Sequence, residues 1–95
     1  MKPNVLIEEQ VVAFVQRQPP ETRRALRAAL HAVASGKTFP EPLEDELDGF
    51  YKLKVGGIRI LMQMEASPEG PVFKALFAEK RRVVYELFSQ IIGLD

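Results

Sequence analysis

The sequence has no cysteine, a single histidine and no net charge. Without cysteine the chain forms no disulfide, offers no thiolate to a metal and has no cysteine nucleophile. His31 is not joined by carboxylates at ligand spacing, so we expect neither a metal nor another cofactor. Thirteen basic residues balance thirteen acidic ones. This balance is unlike that of a protein that holds nucleic acid by overall charge, so a nucleic-acid site would have to be local.

Long apolar runs are also lacking. None approaches the roughly 18 residues needed to cross a bilayer, and no signal-peptide pattern opens the chain. We therefore expect a cytoplasmic protein. The 95 residues suit one domain, and the 46% hydrophobic and 27% charged residues are typical of a globular chain.

A stretch of sixteen residues, GFYKLKVGGIRILMQM at 49–64, predicts a β-hairpin. Gly56 and Gly57 stand between two strand-like runs, and a two-residue turn needs a positive φ that glycine adopts without strain. This turn fixes the register of the two strands. The expected facing pairs are Val55 with Ile58, Lys54 with Arg59, Leu53 with Ile60, Lys52 with Leu61, and Tyr51 with Met62.

The two faces of this hairpin differ in chemistry, because side chains alternate between the faces of a strand. No acidic residue near the turn offsets Lys54 and Arg59, although like charges placed opposite each other cost up to about 1 kcal/mol. Such cations suggest an anion such as phosphate, while a solvated outer sheet face explains the alternation equally well. The uncharged face holds Tyr51, Leu53, Val55, Ile58, Ile60, Met62 and Met64, and the other face, called here the cationic face, holds Phe50, Lys52, Lys54, Arg59, Leu61, Gln63 and Glu65.

The segments before the hairpin predict one strand and two helices. Residues 3–7 are short and apolar, and the apolar spacing predicts helices over 8–18 and 21–35. Pro20 suits the first turn of the second helix, and Gly36 suits the position after its last turn. Together these helices form a helical hairpin.

Residues 36–48 are expected to be a loop, because prolines and an acidic run interrupt the periodicity. Phe39, Leu43 and Leu47 are expected to hold this loop against the core. The acidic run matches no metal-binding spacing, and a solvated surface explains it. The arginines of the second helix allow a nucleic-acid stripe or, more commonly, a solvated helix face; they are Arg23, Arg24 and Arg27.

One strand and one helix are predicted after the hairpin, over 72–79 and 83–94. The strand is apolar on both faces and is expected inside the sheet, with Phe73, Ala75 and Phe77 alternating with Val72, Lys74, Leu76 and Ala78. The order β-α-α-β-β-β-α predicts an α+β fold, with two helices packed on the uncharged face of an antiparallel sheet. The cationic face then looks the other way and is flanked by the C-terminal helix, whose apolar positions are Val84, Leu87, Phe88, Ile91 and Ile92.

Five side chains of the second half can converge on this face: Lys52, Lys54, Arg59, Arg81 and Tyr85. Such cations suit phosphodiester cleavage, since attack by a ribose 2′-hydroxyl builds negative charge on the phosphoryl oxygens. A lysine can act as the general base where neighbouring cations and partial burial lower its pKa. Lys54 is the best candidate for that role. Tyr85 can stack on a base or orient the hydroxyl, and weaker RNA contacts are expected from Lys74, Lys80 and Arg82.

Two motifs resemble those of the RelE/ParE superfamily, the bacterial toxins of type II toxin–antitoxin modules. FYKLKVGGIRIL is similar to the YRLRVGxYRV-type hairpin of that family, and KRRVVY is similar to its closing HRRxxY-type segment. The helical hairpin and the chain length agree as well. The resemblance covers nearly the whole chain and implies a single RelE-like toxin domain over 1–95.

The RelE-like branch implies a metal-independent, ribosome-dependent endoribonuclease that cleaves mRNA in the ribosomal A site. It also implies a cognate antitoxin as partner, with oligomerisation through that antitoxin. Matched position by position to that branch, Lys52 and Lys54 correspond to its strand cations, one of which is the proposed base. Arg59 corresponds to the arginine that contacts phosphate and stabilises the transition state. Arg81 is the acid or stabilises the leaving group, and Tyr85 orients or stacks the substrate.

Two alternatives to the nuclease remain. One is a ParE-like inhibitor of DNA gyrase, which acts by binding, and the other is a non-catalytic RelE-fold binding protein. The joint presence of all five side chains favours the nuclease, because a protein that only binds does not need this set.

Overall fold

The fold is an α+β arrangement of a five-stranded sheet and three α-helices, seen in a computed structural model that describes residues 5–93. The predicted order is confirmed, and the predicted loop 36–48 also holds a two-residue strand and a short 3-10 helix, Asp45–Leu47. Residues 3 and 4 of the first predicted strand and 94 of the last predicted helix lie outside the described residues. The elements are β1 (Val5–Ile7), α1 (Glu9–Gln16), α2 (Pro20–Ala34), β2 (Glu41–Pro42), β3 (Phe50–Val55), β4 (Ile58–Glu65), β5 (Val72–Lys80) and α3 (Val84–Ile91).

The strands lie in the order β1-β5-β4-β3-β2, so β5 is an interior strand as expected. The antiparallel sheet predicted from the sequence is found from β2 to β5, whereas β1 pairs parallel to β5. This parallel pairing is possible because the helical hairpin α1–α2 and the following strands separate β1 from β5 in sequence. Among residues 5–93, no helix has the length and apolarity to cross a bilayer.

The second helix begins and ends where its sequence predicts. Pro20 is its first residue, where the missing N–H and the fixed φ cost nothing. At its end Gly36 has a φ of +79°. The N–H of Lys37 donates to the carbonyl of Ala32 over 2.9 Å, and that of Gly36 donates to Val33 over 3.1 Å. These two bonds form a Schellman cap, which satisfies carbonyls that the helix itself leaves open.

The hairpin has the predicted register over all five facing pairs. Gly56 has a φ of +58°, whereas Gly57 is not among the residues with positive φ. A positive φ at the first turn position alone matches a type II′ turn, whose twist suits the flanking strands.

The main core lies between the uncharged face of the sheet and the helices α1 and α2. Val11 and Phe14 from α1 and Leu26 from α2 pack on Ile60 and Met62 of the central strand β4, and all five are buried. The predicted packing of the uncharged face against the helical hairpin is therefore correct.

A β-bulge shifts the pairing of β4 and β5. Leu61 pairs with Phe77, but the next residue, Met62, pairs with Ala75, so Leu76 has no partner. Beyond the bulge each side chain of β5 moves to the other face, because the alternation has a period of two. The predicted alternation is therefore wrong after Ala75: Ala78 packs on the main core, and Phe77 lies on the cationic face with α3.

A second, smaller core joins α3 to the cationic face, as predicted. Leu61, Val84 and Phe88 form its buried centre, together with Leu43 from the loop before β3. The rings of Phe50 and Phe88 meet edge to face with centroids 5.1 Å apart. The predicted apolar stripe of α3 is only half used, since three of its five members are exposed, namely Leu87, Ile91 and Ile92.

All three residues that were expected to hold the loop before β3 contact one of the two cores. Leu43 is buried, and its N–H donates to the carbonyl of Phe50 over 2.8 Å. Leu47 packs on the second core. Phe39 is 60% exposed, but its ring meets that of the buried core residue Phe73 edge to face at 5.1 Å, so it contacts the main core from the surface.

Candidate functional site

A row of charged side chains crosses the turn end of the sheet on the cationic face. Lys54 on β3 lies directly opposite Arg59 on β4, and Arg59 lies directly opposite Glu79 on β5. Lys52 shares this face in the next row, opposite Leu61. The hairpin register thus places the three predicted strand cations together.

Arg59 is held in place by the turn that it follows. Its Nη1 donates to the carbonyl of Gly56 over 2.8 Å and to that of Ile58 over 2.9 Å. The residue is only 8% exposed, and within residues 5–93 it forms no ion pair. A guanidinium fixed in this way keeps further N–H donors that can bind the oxygens of an anion.

Different contacts position the backbone of Arg81 and the side chain of Tyr85. The backbone N–H of Arg81 donates to the carbonyl of Gly57 over 2.8 Å, which ties the segment after β5 to the hairpin turn. The side chain of Arg81 is exposed. Tyr85 lies in the first turn of α3 and packs on the second core, which includes Leu61.

A carboxylate that the sequence analysis missed lies among the cations. Glu41 on β2 is the cross-strand neighbour of Lys52, and its Oε2 lies 3.0 Å from Nζ of Lys54. The expectation that nothing acidic offsets these cations is therefore wrong. The signal was the stretch Pro40-Glu41-Pro42, because a residue before proline is biased to extended backbone, and a proline suits an edge strand.

The cations control the ionisation of Glu41. The hydrogen bond from Lys54 holds the pKa of Glu41 below its ordinary value of 4.5, and the charges of Lys52 and Arg59 act in the same direction. Glu41 is therefore a carboxylate at neutral pH. Nζ of Lys54 is engaged by this carboxylate, so it can contact a substrate hydroxyl only when the pair opens.

The three weaker candidates do not all lie near this cluster. Lys80 pairs with Ile58 and so lies on the opposite side of the sheet at the strand end, and Arg82 is exposed in the segment before α3. Lys74 is six residues from Lys80 along β5, roughly 20 Å at the usual rise of a strand. Its Nζ lies 3.4 Å from Oε1 of Glu8.

An open groove of about 390 Å³ runs beside Tyr85, between α3 and the loop before β3. Four carboxylates line it, those of Glu44, Asp45, Glu46 and Glu86. In the described part of the chain these carboxylates are not arranged as a group that could hold a metal ion. The groove therefore presents negative charge next to the side chain that was predicted to contact the substrate.

Comparison with known proteins shows which known fold this chain shares. No protein-family model and no curated protein matches the sequence. Among solved structures, the chain is similar to one in the crystal structure of the toxin–antitoxin complex RelBE2 from Mycobacterium tuberculosis. The TM-score is 0.67 at 18% sequence identity, and the match covers 85% of this chain and 100% of that one. The RelE-like fold predicted from the sequence is confirmed.

Proposed function

We propose that this protein is the toxin of a type II toxin–antitoxin system and cleaves mRNA on the ribosome in the cytoplasm without a metal. The observation that carries the proposal is the cluster at the hairpin turn. Arg59 is fixed there by backbone carbonyls, Lys52 and Lys54 share its face, and Arg81 is tied to the same turn. The RelE-like fold supports the role of toxin, with a cognate antitoxin as partner.

The proposed reaction needs charge stabilisation and two proton transfers. The 2′-oxygen of a ribose bonds to the adjacent phosphorus, and the bond from phosphorus to the 5′-oxygen breaks. Arg59 and the strand lysines stabilise the charge that develops on the phosphoryl oxygens, and their fixed positions lower the reorganisation cost. Arg81, which is exposed, stabilises the departing 5′-oxygen, which takes its proton from solvent water, and Tyr85 holds the substrate.

Glu41 joins Lys54 as a candidate for the group that takes the 2′-proton. A carboxylate with a lowered pKa is a weak base, but at neutral pH it is always in the form that accepts a proton. We assign the base to Glu41 and the role of charge partner to Lys54, because Nζ of Lys54 lies 3.0 Å from the carboxylate of Glu41 and is engaged by it.

Cleavage of mRNA on programmed ribosomes by the purified protein, mapped by primer extension, tests this proposal. Arg81→Ala is expected to slow cleavage by about 30-fold or more, because removing one donor to a developing oxyanion typically costs a factor of 100 to 1,000. Lys37→Ala is the control, since Lys37 is an exposed lysine in the loop after α2. Unchanged cleavage in both Arg81→Ala and Lys54→Ala would contradict the assignment of these residues to the cleavage site.

Two further variants separate the candidate bases. Lys54→Arg keeps the positive charge but cannot give up its proton at accessible pH. If Glu41 is the base, Glu41→Gln slows cleavage by about 100-fold or more, while Lys54→Arg retains most of the activity. The reverse pattern would assign the base to Lys54. Glu69→Gln, at an exposed carboxylate in the turn between β4 and β5, serves as the matched control for Glu41→Gln.

The acidic groove beside Tyr85 favours a second candidate function, binding of a protein. Four carboxylates repel an RNA backbone but suit a basic protein surface. Inhibition of DNA gyrase is the specific form of this alternative. A supercoiling assay decides between the two: loss of supercoiling by the same preparation that leaves mRNA intact on ribosomes would replace the nuclease by a gyrase inhibitor.

A further inference from the structure

Two carboxylates flank the cations at the turn end of the sheet, one from each side of the hairpin. Glu41 reaches them from β2, with its Oε2 3.0 Å from Nζ of Lys54. Glu79 lies on β5 directly opposite Arg59, and cross-strand neighbours of this kind have Cβ atoms roughly 5 Å apart. The cleavage chemistry proposed above uses Glu41 but gives no role to Glu79.

The carboxylate of Glu79 is held by its own backbone rather than by Arg59. Its Oε2 accepts the N–H of Lys80 over 2.8 Å. Neither of the two ion pairs found among residues 5–93 includes Glu79 or Arg59. Arg59 therefore keeps N–H donors for an anion, but an anion that binds them meets a negative charge on the neighbouring strand.

The balance of charge in this cluster suits a ligand with one negative charge. Three cations and two carboxylates lie in the two rows of the sheet nearest the turn, which leaves a net charge of +1; they are Lys52, Lys54, Arg59, Glu41 and Glu79. A phosphodiester inside an RNA strand carries one negative charge. A phosphomonoester carries nearly two at neutral pH, and a nucleoside triphosphate carries more.

We propose that Glu79 is a specificity-determining residue, which makes this site favour an internal phosphodiester over phosphomonoesters and free nucleotides. Coulomb energy is proportional to the charge of the ligand, so Glu79 repels a dianion about twice as strongly as a monoanion. The inference rests on the proposed function, because it takes the ligand of the cluster to be an RNA backbone. It adds a reason why small phosphate compounds do not occupy this group of cations.

Titration of the full chain with two small ligands tests the proposal without cleavage. One ligand is a dinucleotide with 2′-O-methyl riboses, which has one diester charge and no 2′-hydroxyl to attack it. The other is a nucleoside 5′-monophosphate with the same base. Low ionic strength limits screening, and a pH above the second pKa of the monophosphate, about 6, keeps it dianionic. Amide chemical shifts of β3 and β4 in the isotope-labelled protein report binding.

The decisive variant is Glu79→Gln, which removes the charge but keeps an oxygen that can accept the N–H of Lys80. It is expected to raise the affinity about threefold for the dinucleotide and about tenfold for the monophosphate, because the gain in binding energy doubles with the charge of the ligand. Glu79→Thr, a second neutral variant with good strand propensity, is expected to shift the ratio of the two affinities in the same direction.

Two control variants isolate the charge and its position. Glu65→Gln removes a carboxylate from the same face of the sheet, but six residues along β4 from Arg59, roughly 20 Å at the usual rise of a strand. It is expected to change neither affinity. Glu79→Asp keeps the charge and is expected to keep the natural ratio of the two affinities. Thermal melting checks that the variants fold.

Three results would overturn the proposal. Equal gains for both ligands in Glu79→Gln would show that the charge of the ligand does not matter. No gain for either ligand would show that Glu79 does not act on the bound phosphate, and a shifted ratio in Glu79→Asp would attribute the effect to packing. The nuclease is judged separately: a charge-dependent gain in a protein that leaves mRNA intact on ribosomes would support the role of Glu79 and contradict the cleavage.

Discussion

Gln10 shows how one side chain can complete a sheet. The strand β1 ends at Ile7, whereas its partner β5 continues to Lys80. In the gap, the amide of Gln10 donates to the carbonyl of Ala78 over 2.8 Å, and its oxygen accepts from the N–H of Ala78 over 2.7 Å. The side chain thus supplies the two hydrogen bonds that a longer strand would have supplied.

We expect Gln10→Ala to lower the free energy of unfolding by about 2–4 kcal/mol, because the donor and the acceptor of Ala78 both lose their partner. Ala78 is fully buried, so water does not replace these bonds easily. Urea denaturation measures the change, and Gln16→Ala on the exposed side of α1 is the control. A loss no larger than that of the control would show that the two bonds are not needed.

The ion pair of Glu41 and Lys54 makes a pH-dependent contribution to stability. The folded protein holds the pKa of Glu41 below 4.5. The stabilisation is therefore present above the pKa of the unfolded state and is lost as the pH falls through the lower pKa of the folded state. The effect is small, since both side chains are about half exposed and solvent screens the pair.

We expect Glu41→Gln to have a slightly lower melting temperature than the natural chain at pH 7, and we expect the difference to vanish on acidification below the pKa of Glu41. Thermal melting between pH 7 and pH 3 measures this convergence. Glu46→Gln, which removes a carboxylate that is not ion-paired in residues 5–93, should show no such trend. A difference for Glu41→Gln that does not shrink as the pH falls would point to a packing effect.

At the scale of the elements, the hairpin turn decides where the cations lie. A slip of one residue would move every side chain of a strand to the other face. It would place the charges of Lys52 and Lys54 in the main core. The backbone conformation of the turn is therefore part of the candidate site.

We expect the two glycines of the turn to respond differently to alanine. Gly56→Ala should lower stability by about 1 kcal/mol, because its φ of +58° is strained for a residue with a Cβ. Gly57→Ala should change stability by less than about 0.5 kcal/mol, since a Cβ there meets open space and the φ is not positive. Chemical denaturation compares them, and equal costs would contradict the II′ assignment.

The bulge in β5 is the element that assigns apolar side chains to the two cores. It lets Ala78 return to the main core while Phe77 packs near Phe88, with ring centroids 6.1 Å apart. Without the extra residue, the regular alternation would turn Phe77 to the main core and Ala78 to the second core.

The whole molecule has two cores of unequal size on the two faces of one sheet. The main core joins four strands to α1 and α2, whereas the second core attaches α3 largely through Val84 and Phe88. Since Tyr85 lies between these two residues in sequence, its position depends on the smaller core.

We expect Phe88→Ala to release α3 before it unfolds the sheet. The truncation of a buried phenylalanine costs about 3–5 kcal/mol, and this loss falls on the smaller core. Hydrogen exchange should become faster in α3 while β4 stays protected. Leu87→Ala, on the exposed side of the same helix, is the control. Equal acceleration in α3 and β4 would show that the two cores unfold as one unit.

The zero net charge of the chain conceals a separation of charge over its surface. The turn end of the cationic face holds Lys54 and Arg59, the groove beside Tyr85 is acidic, and α2 carries a basic stripe. Local fields of this kind steer different partners to different surfaces even when the total charge is zero.

Sequence patterns alone determined the elements and the hairpin of this protein. The helix spacing, the caps at Pro20 and Gly36, and the turn at Gly56 act between residues close in the chain, so their physical cause is visible in a short window. The same local rules predicted correctly that Lys52, Lys54 and Arg59 share a face.

Only the tertiary structure decided which residues far apart in the sequence come into contact. Glu41 reaches Lys54 across a strand pairing, Gln10 reaches Ala78 across 68 residues, and the bulge exchanges the faces of Phe77 and Ala78. Each of these depends on how separate elements dock, which no local period encodes. The same holds for the depression of about 130 Å³ lined by Ile7, Val12 and Leu30, because its walls come from β1, α1 and α2, which meet only in the folded chain.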